Sequence, residues 1–246
     1  MTPGSYLLIL LAGAGAGVLN AAVSSGTLLS YPILVGLGIP PVIANGTNSL
    51  GLVPGSISGA LAYRKQLVGR RRELIIWGIA TSCGGVVGAL LVVLLPAKVF
   101  TELVPWLILG ACVVIVVQPL LTKALAKRRS DAAITPAVFG VGIYGGYFGA
   151  GQGVAYLAAL GSLGDGDMHR ANAVKNVIAS AANTAAGVTF ALAGFVELKP
   201  AVVLAVGSLA GGAVGGNAAK RLPPVLLRVV IVVIGLGAAT VSFLAA

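Results

Sequence analysis

The sequence predicts an all-α, polytopic helical membrane protein, with about eight hydrophobic segments in two homologous repeats whose first helices are broken by glycines. Hydrophobic residues form 58% of the 246-residue chain and charged residues only 9%, whereas soluble domains carry about 25% charged residues. The charges cluster between continuous apolar stretches of about 20 residues, the length at which a helix crosses a bilayer core. A β-barrel would show alternating segments of about ten residues instead.

Hydropathy and loop charges predict the spans in order along the chain. The first apolar run follows no Lys or Arg and similar runs recur after it, so it is predicted to be a span rather than a secretory signal. The neutral turn "GLGIPP" lies at 36–41, between the first two predicted spans. Trp77 and Trp106 lie near span ends, as interfacial anchors do. The predicted spans are 5–23, 42–62, 74–95, 100–122, 133–158, 172–194, 200–219 and 223–244.

The net charge of +10 is explained by topology rather than by nucleic-acid binding. Basic residues fill two loops, 64–72 and 123–129, and both are expected to face the cytoplasm by the positive-inside rule. Simple counting places Lys220 and Arg221 on the outside, so the crossing number and relative orientation of the second half stay open. Cys83 and Cys112 fall within predicted spans and are interpreted as small packing residues.

The two halves of the chain resemble each other. The stretch "ANGTNSLGLVPGSISGALAY" at 44–63 is similar to "ANAVKNVIASAANTAAGVTF" at 171–190. Asn45 matches Asn172 at an offset of 127, and Asn48 matches Asn176 at an offset of 128. We therefore predict two membrane repeats, 1–130 and 131–246. Corresponding interrupted segments in duplicated halves indicate a secondary transporter's binding site, whereas the alternative is that small residues only pack helices.

A glycine cluster, "GGYFGAGQGVAYL" at 145–157, interrupts one predicted span. Gly149, Gly151 and Gly153 allow the helix to open and present backbone N–H groups, and the Gln152 amide can donate beside them. Irregular backbone at membrane depth is tolerated only where protein or a water-filled cavity surrounds it. An exposed helix N-terminus at that depth favours an anion. Other glycine runs, "GAGAG" at 13–17 and "GGVVGALL" at 84–91, are interpreted as packing faces.

The chain resembles the TauE/SafE family of sulfite exporters over nearly its whole length. The closest part is "FGAGQG" followed by "RANAVKN" at 170–176, whereas "VSSGT" at 23–27 departs from the family's glycine-rich pattern with Ser24 and Ser25. The resemblance implies a multi-pass carrier of the prokaryotic cytoplasmic membrane. It also implies that the cargo is sulfite, sulfoacetate or a related organosulfur anion, moved without ATP-hydrolysing machinery in the chain.

Lys175 is the sharpest single candidate for contacting such an anion. It lies a few residues inside the sixth span, and a lysine at the centre of a membrane helix costs about 2.5–3.5 kcal/mol on the insertion scale. Asn172 and Asn176 fall one helical turn apart, so their amides are predicted to donate to the same anion. The alternative, given equal weight, is that Lys175 lies near the membrane edge and extends to lipid headgroups.

The polar residues of both halves form one predicted substrate-binding set around Lys175. Each Ser or Thr taken alone is better explained by a bond to a carbonyl of its own helix, so the cluster carries the prediction. The set is Asn20, Ser24, Ser25, Gly26, Thr27, Asn45, Asn48, Ser49, Gly149, Gly151, Gln152, Gly153, Asn172, Lys175 and Asn176.

These observations predict a secondary transporter that works by alternating access, with its anion site between the repeats. No enzyme motif, metal-ligand cluster or cofactor signature is present in the sequence, and "GAGQG" lacks the lysine of a phosphate-binding loop. The expected partners are the lipid bilayer and a small anion, with no nucleic acid; a homo-oligomer is left open. The alternative function is a non-transporting scaffold or assembly factor. A channel is less favoured because the sequence has no ring of repeated charges.

Overall fold

The computed structural model describes residues 1–23, 25–126, 131–160, 168–218 and 224–245, and these form helices joined by short turns. A 3-10 turn at Arg64–Leu67 forms part of the first basic loop. The predicted boundary between repeats falls beside residues 127–130, which lie outside the described part of the chain. The helices are α1 Pro3–Val23, α2 Thr27–Gly36, α3 Pro41–Gly51, α4 Val53–Ala62, α5 Arg71–Leu94, α6 Ala97–Ala126, α7 Asp131–Tyr147, α8 Gln152–Leu160, α9 Met168–Leu192, α10 Leu198–Ala218 and α11 Pro224–Ala245.

The predicted all-α membrane class is confirmed. Among the described residues, segments of α1, α5, α6 and α10 are long and apolar enough to cross a membrane. Large apolar side chains such as Leu11, Ile79, Val113 and Val202 are at least half exposed on these helices. Such a surface is unfavourable in water but matches lipid chains.

The most important difference from the predicted spans is α2, which the sequence analysis left unassigned. Its ten residues include Pro32 and reach about 15 Å at 1.5 Å per residue, half of the roughly 30 Å bilayer core. A segment this short gives no spanning signal. Instead α2 follows α1 after the short break at 24–26, just as α8 follows α7 after the break at 148–151.

The predicted span 42–62 is also divided. It forms α3 and α4, which meet at Leu52 next to Pro54. Its sequence counterpart in the second half is the uninterrupted helix α9, which runs over 25 residues. Related sequences therefore form a kinked span in one half and a continuous helix in the other.

The first helix of each half packs against the other half. Helix α1 packs along α10, and α7 packs along α5. Glycines bring these backbones into contact: a Cβ added at Gly17 would lie 2.3 Å from the Ser208 carbonyl oxygen, and one at Gly88 would lie 2.0 Å from that of Ile143. The prediction that the runs 13–17 and 84–91 are packing faces is confirmed. This close approach is how small residues drive helix association in lipid.

Candidate functional site

The first helix break, between α1 and α2, is closed by Asn20. The side-chain oxygen of Asn20 accepts a hydrogen bond from the Gly26 N–H at 2.8 Å. A Cβ at Gly26 would lie 2.4 Å from the Ala16 carbonyl oxygen, so only glycine fits this turn. Ser25 is completely buried, and Ser24 lies outside the described residues.

The buried face of α3 connects the first break to the rest of the protein. The Asn48 amide donates to the Thr27 hydroxyl at 3.2 Å, and the Ser30 hydroxyl donates to the Asn48 side-chain oxygen. Asn48 therefore fixes α2 against α3, and Ser49 is buried beside it. Ser30 was missed by the sequence analysis, although it lies one helical turn after Thr27 and so shares its face.

The second helix break has the glycine geometry that its sequence predicts. Gly149 and Gly151 adopt φ values of 75° and 70°, the left-handed region that favours glycine. The Tyr144 carbonyl accepts bonds from the N–H groups of Phe148 and Gly149, both at 3.0 Å, which ends α7. Gly153 instead lies inside α8, so two of the three predicted glycines open the chain.

Gln152 begins α8 and points into the protein interior. It is 3% exposed, and its side-chain nitrogen donates to the Asn183 side-chain oxygen of α9 at 2.7 Å. The Gln152 side-chain oxygen is buried and has no hydrogen-bond partner among the described residues. This oxygen lies next to Gly145, and a Cβ added at Gly145 would be 2.0 Å from it. The sequence analysis singled out Gln152 but did not assign Asn183 to the site.

Lys175 is the least expected buried group in the described structure. Its side chain is fully enclosed (0% exposed), and its ammonium donates to the Ala22 carbonyl at 3.4 Å. No carboxylate contacts it among the described residues. Its neighbour Asn176 donates to the Ala21 carbonyl, also at 3.4 Å. Both side chains therefore meet the C-terminal end of α1, where helix carbonyls lack partners and carry partial negative charge.

The second break is contacted in a corresponding way from the first half. The Asn45 amide donates to the Tyr147 carbonyl, the last residue of α7, at 2.9 Å. Asn45 is completely buried, and within the described part of the chain its side-chain oxygen has no hydrogen-bond partner. Each broken first helix is thus capped by the following span of the other half. The first break receives a lysine and an amide, whereas the second receives a neutral amide.

Asn172 lies apart from the two breaks. Its side chain hydrogen-bonds the hydroxyl of Tyr63, which follows α4. The structure describes no partner for its side-chain oxygen among the residues it covers. The predicted pair Asn172 and Asn176 shares a helix, but the two amides contact different segments: the end of α4 and the end of α1. Asn172 and Asn45 therefore correspond in sequence, but their side chains contact different parts of the structure.

A cavity of about 530 Å³ borders the second break. Helices α6 and α7 form its sides, and the Ala150–Gly151 segment forms part of its wall. The Tyr144 hydroxyl, on this wall, donates to the Ala150 carbonyl at 2.5 Å and so supports the break. Most other lining side chains are apolar. The α6 wall was missed because its "LILGACVV" stretch differs little from an ordinary membrane helix.

Comparison with known proteins identifies the family. The family model described as sulfite exporter TauE/SafE matches residues 9–241. The chain belongs to the TauE/SafE family. A relative from Haemophilus influenzae, named a probable membrane transporter protein, is 27% identical over 224 residues and covers 89% of this chain and 86% of the relative. The predicted resemblance and the multi-pass location in the bacterial inner membrane are confirmed.

Two further TauE/SafE relatives agree over the same length. A probable membrane transporter protein from Sinorhizobium is 24% identical over 230 residues, covering 91% of this chain and 87% of its own. The probable membrane transporter protein YfcA of Escherichia coli K12 is 27% identical over 221 residues, with coverage of 89% and 82%. The family match over residues 9–241 includes both helix breaks and the spans that cap them.

Gly151→Ala should destabilise this TauE/SafE protein at its second break. A non-glycine residue in the left-handed region costs about 1–2 kcal/mol, which corresponds to a fall of roughly 2–8 °C in the unfolding midpoint of a chain this size. The measurement is thermal unfolding in detergent. Gly140→Ala is the matched control because Gly140 lines the same cavity but has open space around it. Equal midpoints for the two variants would contradict the assigned turn geometry.

Proposed function

We propose that this protein is a secondary transporter that exports sulfite or a related organosulfur anion, such as sulfoacetate, by alternating access. The observation that carries the proposal is Lys175, a fully buried lysine that no described carboxylate contacts. An isolated buried charge is expensive unless it is paired. Residues that carry such a cost in a membrane span usually have a functional reason, and a negatively charged cargo supplies the missing partner.

The geometry around Lys175 leaves donors free for that anion. An ammonium has three hydrogens, and the one described bond, to the Ala22 carbonyl, uses one of them. The other two donate to oxyanion oxygens. Hydrogen bonds between charged groups are about twice as strong as neutral ones, so the anion exchanges its hydration for these contacts.

The second break supplies neutral donors to the same proposed site. Helix α8 begins at Gln152, and a helix N-terminus carries partial positive charge. The N–H groups of Gln152 and Val154 donate to the Gly149 and Gly151 carbonyls, so the attraction for the anion comes from the helix dipole and the Gln152 amide. Gly149 and Gly151 allow the backbone to turn there without a side chain blocking the approach. Asn45 and Asn48 are the first-half counterparts, held by α3 against the two breaks.

The packing of each half's first helix against the other half provides a pivot for the proposed transport movement. The proposed repeats are 1–130 and 131–246, and each places its first helix against the other. Because Lys175 is completely enclosed in this conformation, an anion reaches it only after the halves shift relative to each other. Rocking of one repeat against the other would open the site to each side in turn.

Ligand-dependent thermal stability tests the proposal. The purified protein is heated with sulfite, sulfate, thiosulfate, sulfoacetate, taurine or acetate, each at the same ionic strength. An anion at a hundredfold excess over its Kd stabilises the folded state by about 2.7 kcal/mol, which corresponds to roughly 5–10 °C in the unfolding midpoint. We expect selective stabilisation by one sulfur oxyanion.

Uptake of the selected anion into proteoliposomes then separates a transporter from a protein that only binds. Accumulation that depends on the protein supports transport. A flat thermal response to the whole panel would contradict the proposed substrate class and favour a non-transporting scaffold, in which the glycines and asparagines only pack helices.

A further inference from the structure

The kink between α3 and α4 is held open by a side chain from the other half. Pro54 has no N–H, so it cannot donate to the carbonyl one turn earlier. The next residue, Gly55, would donate to the Gly51 carbonyl in an uninterrupted helix. Its N–H instead donates to the Ser208 hydroxyl oxygen of α10, at 3.2 Å.

The same Ser208 hydroxyl also bonds the backbone on the other side of the kink. The Ser208 hydroxyl reaches the Gly51 carbonyl at 2.7 Å, closer than its alternative acceptor at 3.0 Å, the carbonyl of Ala205. Ser208 is completely buried. A hydroxyl is thus inserted between the donor and the acceptor of one helical hydrogen bond, an arrangement that kinks helices.

The interface around Ser208 fixes its position. A Cβ at Gly55 would lie 2.6 Å from the Ser208 carbonyl oxygen, and one at Gly212 would lie 2.3 Å from the Gly55 carbonyl oxygen. Nearby, the Ser58 hydroxyl contacts the carbonyls of Gly55 and Leu209 at 3.0 and 3.2 Å. Backbone contact on both sides prevents α10 from withdrawing the Ser208 hydroxyl without moving α4.

The corresponding position in the first half behaves differently. Thr81 precedes Ser208 by 127 residues, the same offset that relates Asn45 to Asn172. The Thr81 hydroxyl contacts the Tyr156 hydroxyl of α8, and α9 remains a continuous helix. Between these two corresponding spans, as far as the structure describes them, the inserted hydroxyl is found in α3–α4 and not in α9.

We propose that Ser208 is a positioning residue for the anion site, because it sets the angle at which α3 leaves α4. Helix α3 carries Asn45 and Asn48, whose amides bind the second and first breaks respectively. Without the hydroxyl, the Gly55 N–H and the Gly51 carbonyl lose their shared partner on α10. Pro54 still bends the span, but its angle is no longer fixed by Ser208, and both asparagines shift relative to the breaks. This inference rests on the proposed transport function.

The test compares Ser208→Ala with Ser58→Ala, which removes a hydroxyl of the same interface that bonds neither the Gly55 N–H nor the Gly51 carbonyl. The measurement is the Kd for the anion that stabilises the wild-type protein, taken from concentration-dependent thermal shifts. Misplacement of binding groups by about 1 Å is costly, and we expect Ser208→Ala to weaken binding about tenfold or more. Ser58→Ala should change the Kd by at most about twofold, the range of neutral substitutions.

Each outcome decides the proposal. A purely structural serine would lower the unfolding midpoint in both variants and leave the Kd unchanged, and that result would overturn the positioning role while transport stands. If Ser208→Ala does not fold, Ser208→Cys replaces the hydroxyl with a thiol that is only a weak donor and acceptor; an unchanged Kd in that variant would equally overturn the proposal. A wild-type protein that no anion stabilises would overturn the proposed function, and this inference with it.

Discussion

Lys175→Met should abolish anion transport while leaving the protein folded. Methionine keeps a long, flexible side chain but removes the ammonium, so the anion loses its only cationic contact among the described residues. Removing one partner of a buried charged pair costs about 2–5 kcal/mol, or roughly thirtyfold to several thousandfold in Kd. Anion uptake into proteoliposomes and anion-dependent thermal shifts measure both effects.

For the stability of the anion-free protein, the expected effect of Lys175→Met is the opposite of its effect on transport. In the anion-free protein, Lys175 is a buried charge with a single carbonyl contact at 3.4 Å. Replacing buried ionic groups with apolar ones of similar size is often neutral or stabilising. We therefore expect the unfolding midpoint of Lys175→Met without anion to equal or exceed that of the wild type.

Lys199→Met is the matched control for charge removal, because Lys199 is exposed near the start of α10. It should retain wild-type transport and wild-type anion stabilisation. Normal transport by Lys175→Met would remove this lysine from the site. A large loss of stability in the anion-free variant would show that Lys175 has a structural role instead.

Gly146→Ala and Gly211→Ala should produce the largest losses of stability. A Cβ at Gly146 would lie 2.0 Å from the Gly85 carbonyl oxygen, and one at Gly211 would lie 1.9 Å from that of Ala14. The clashing atoms belong to backbone, which cannot rotate away, so α7 must separate from α5 and α1 from α10. Overpacking costs about 1–3 kcal/mol for each change, which lowers the unfolding midpoint by roughly 2–12 °C.

Gly110→Ala and Gly237→Ala are the matched controls, since both glycines lie within helices and have open space around them. Alanine is favoured over glycine in a helix by about 1 kcal/mol, so these variants should be as stable as the wild type or more stable. Thermal unfolding and size-exclusion profiles in detergent measure the difference. Similar behaviour of all four variants would contradict the close helix contacts that join the halves.

The sequence was sufficient for the membrane class and for four of the eight predicted spans, which correspond to α1, α5, α6 and α10 among the described residues. Long apolar runs separated by charged loops have one physical solution in lipid, because every backbone polar group must be bonded within the segment. The break at 148–151 was also predictable, since glycines at 149 and 151 are the residues that adopt positive φ without strain. Helix α2 was not, because ten apolar residues suit a core helix, a re-entrant segment or a loop equally well.

The roles of individual polar residues depended on contacts that sequence does not contain. Lys175 had two equally weighted interpretations, and its full burial against the end of α1 became visible only when α1 and α9 were placed together. Ser30, Asn183 and Ser208 each bond a group at least 18 positions away along the chain. Such partners are set by which helices adjoin, and that is a property of the packed structure.

The glycine cluster at 145–153 shows the same division within a few residues. Its sequence determined that the span would be interrupted, because so many glycines weaken a helix and permit close approach. Tertiary structure decided what each glycine does: Gly146 admits the α5 backbone, Gly145 leaves room for the Gln152 side chain, and Gly149 and Gly151 form the turn. A glycine has no side chain to signal its neighbour, so its function is defined by the atoms that occupy the space a Cβ would fill.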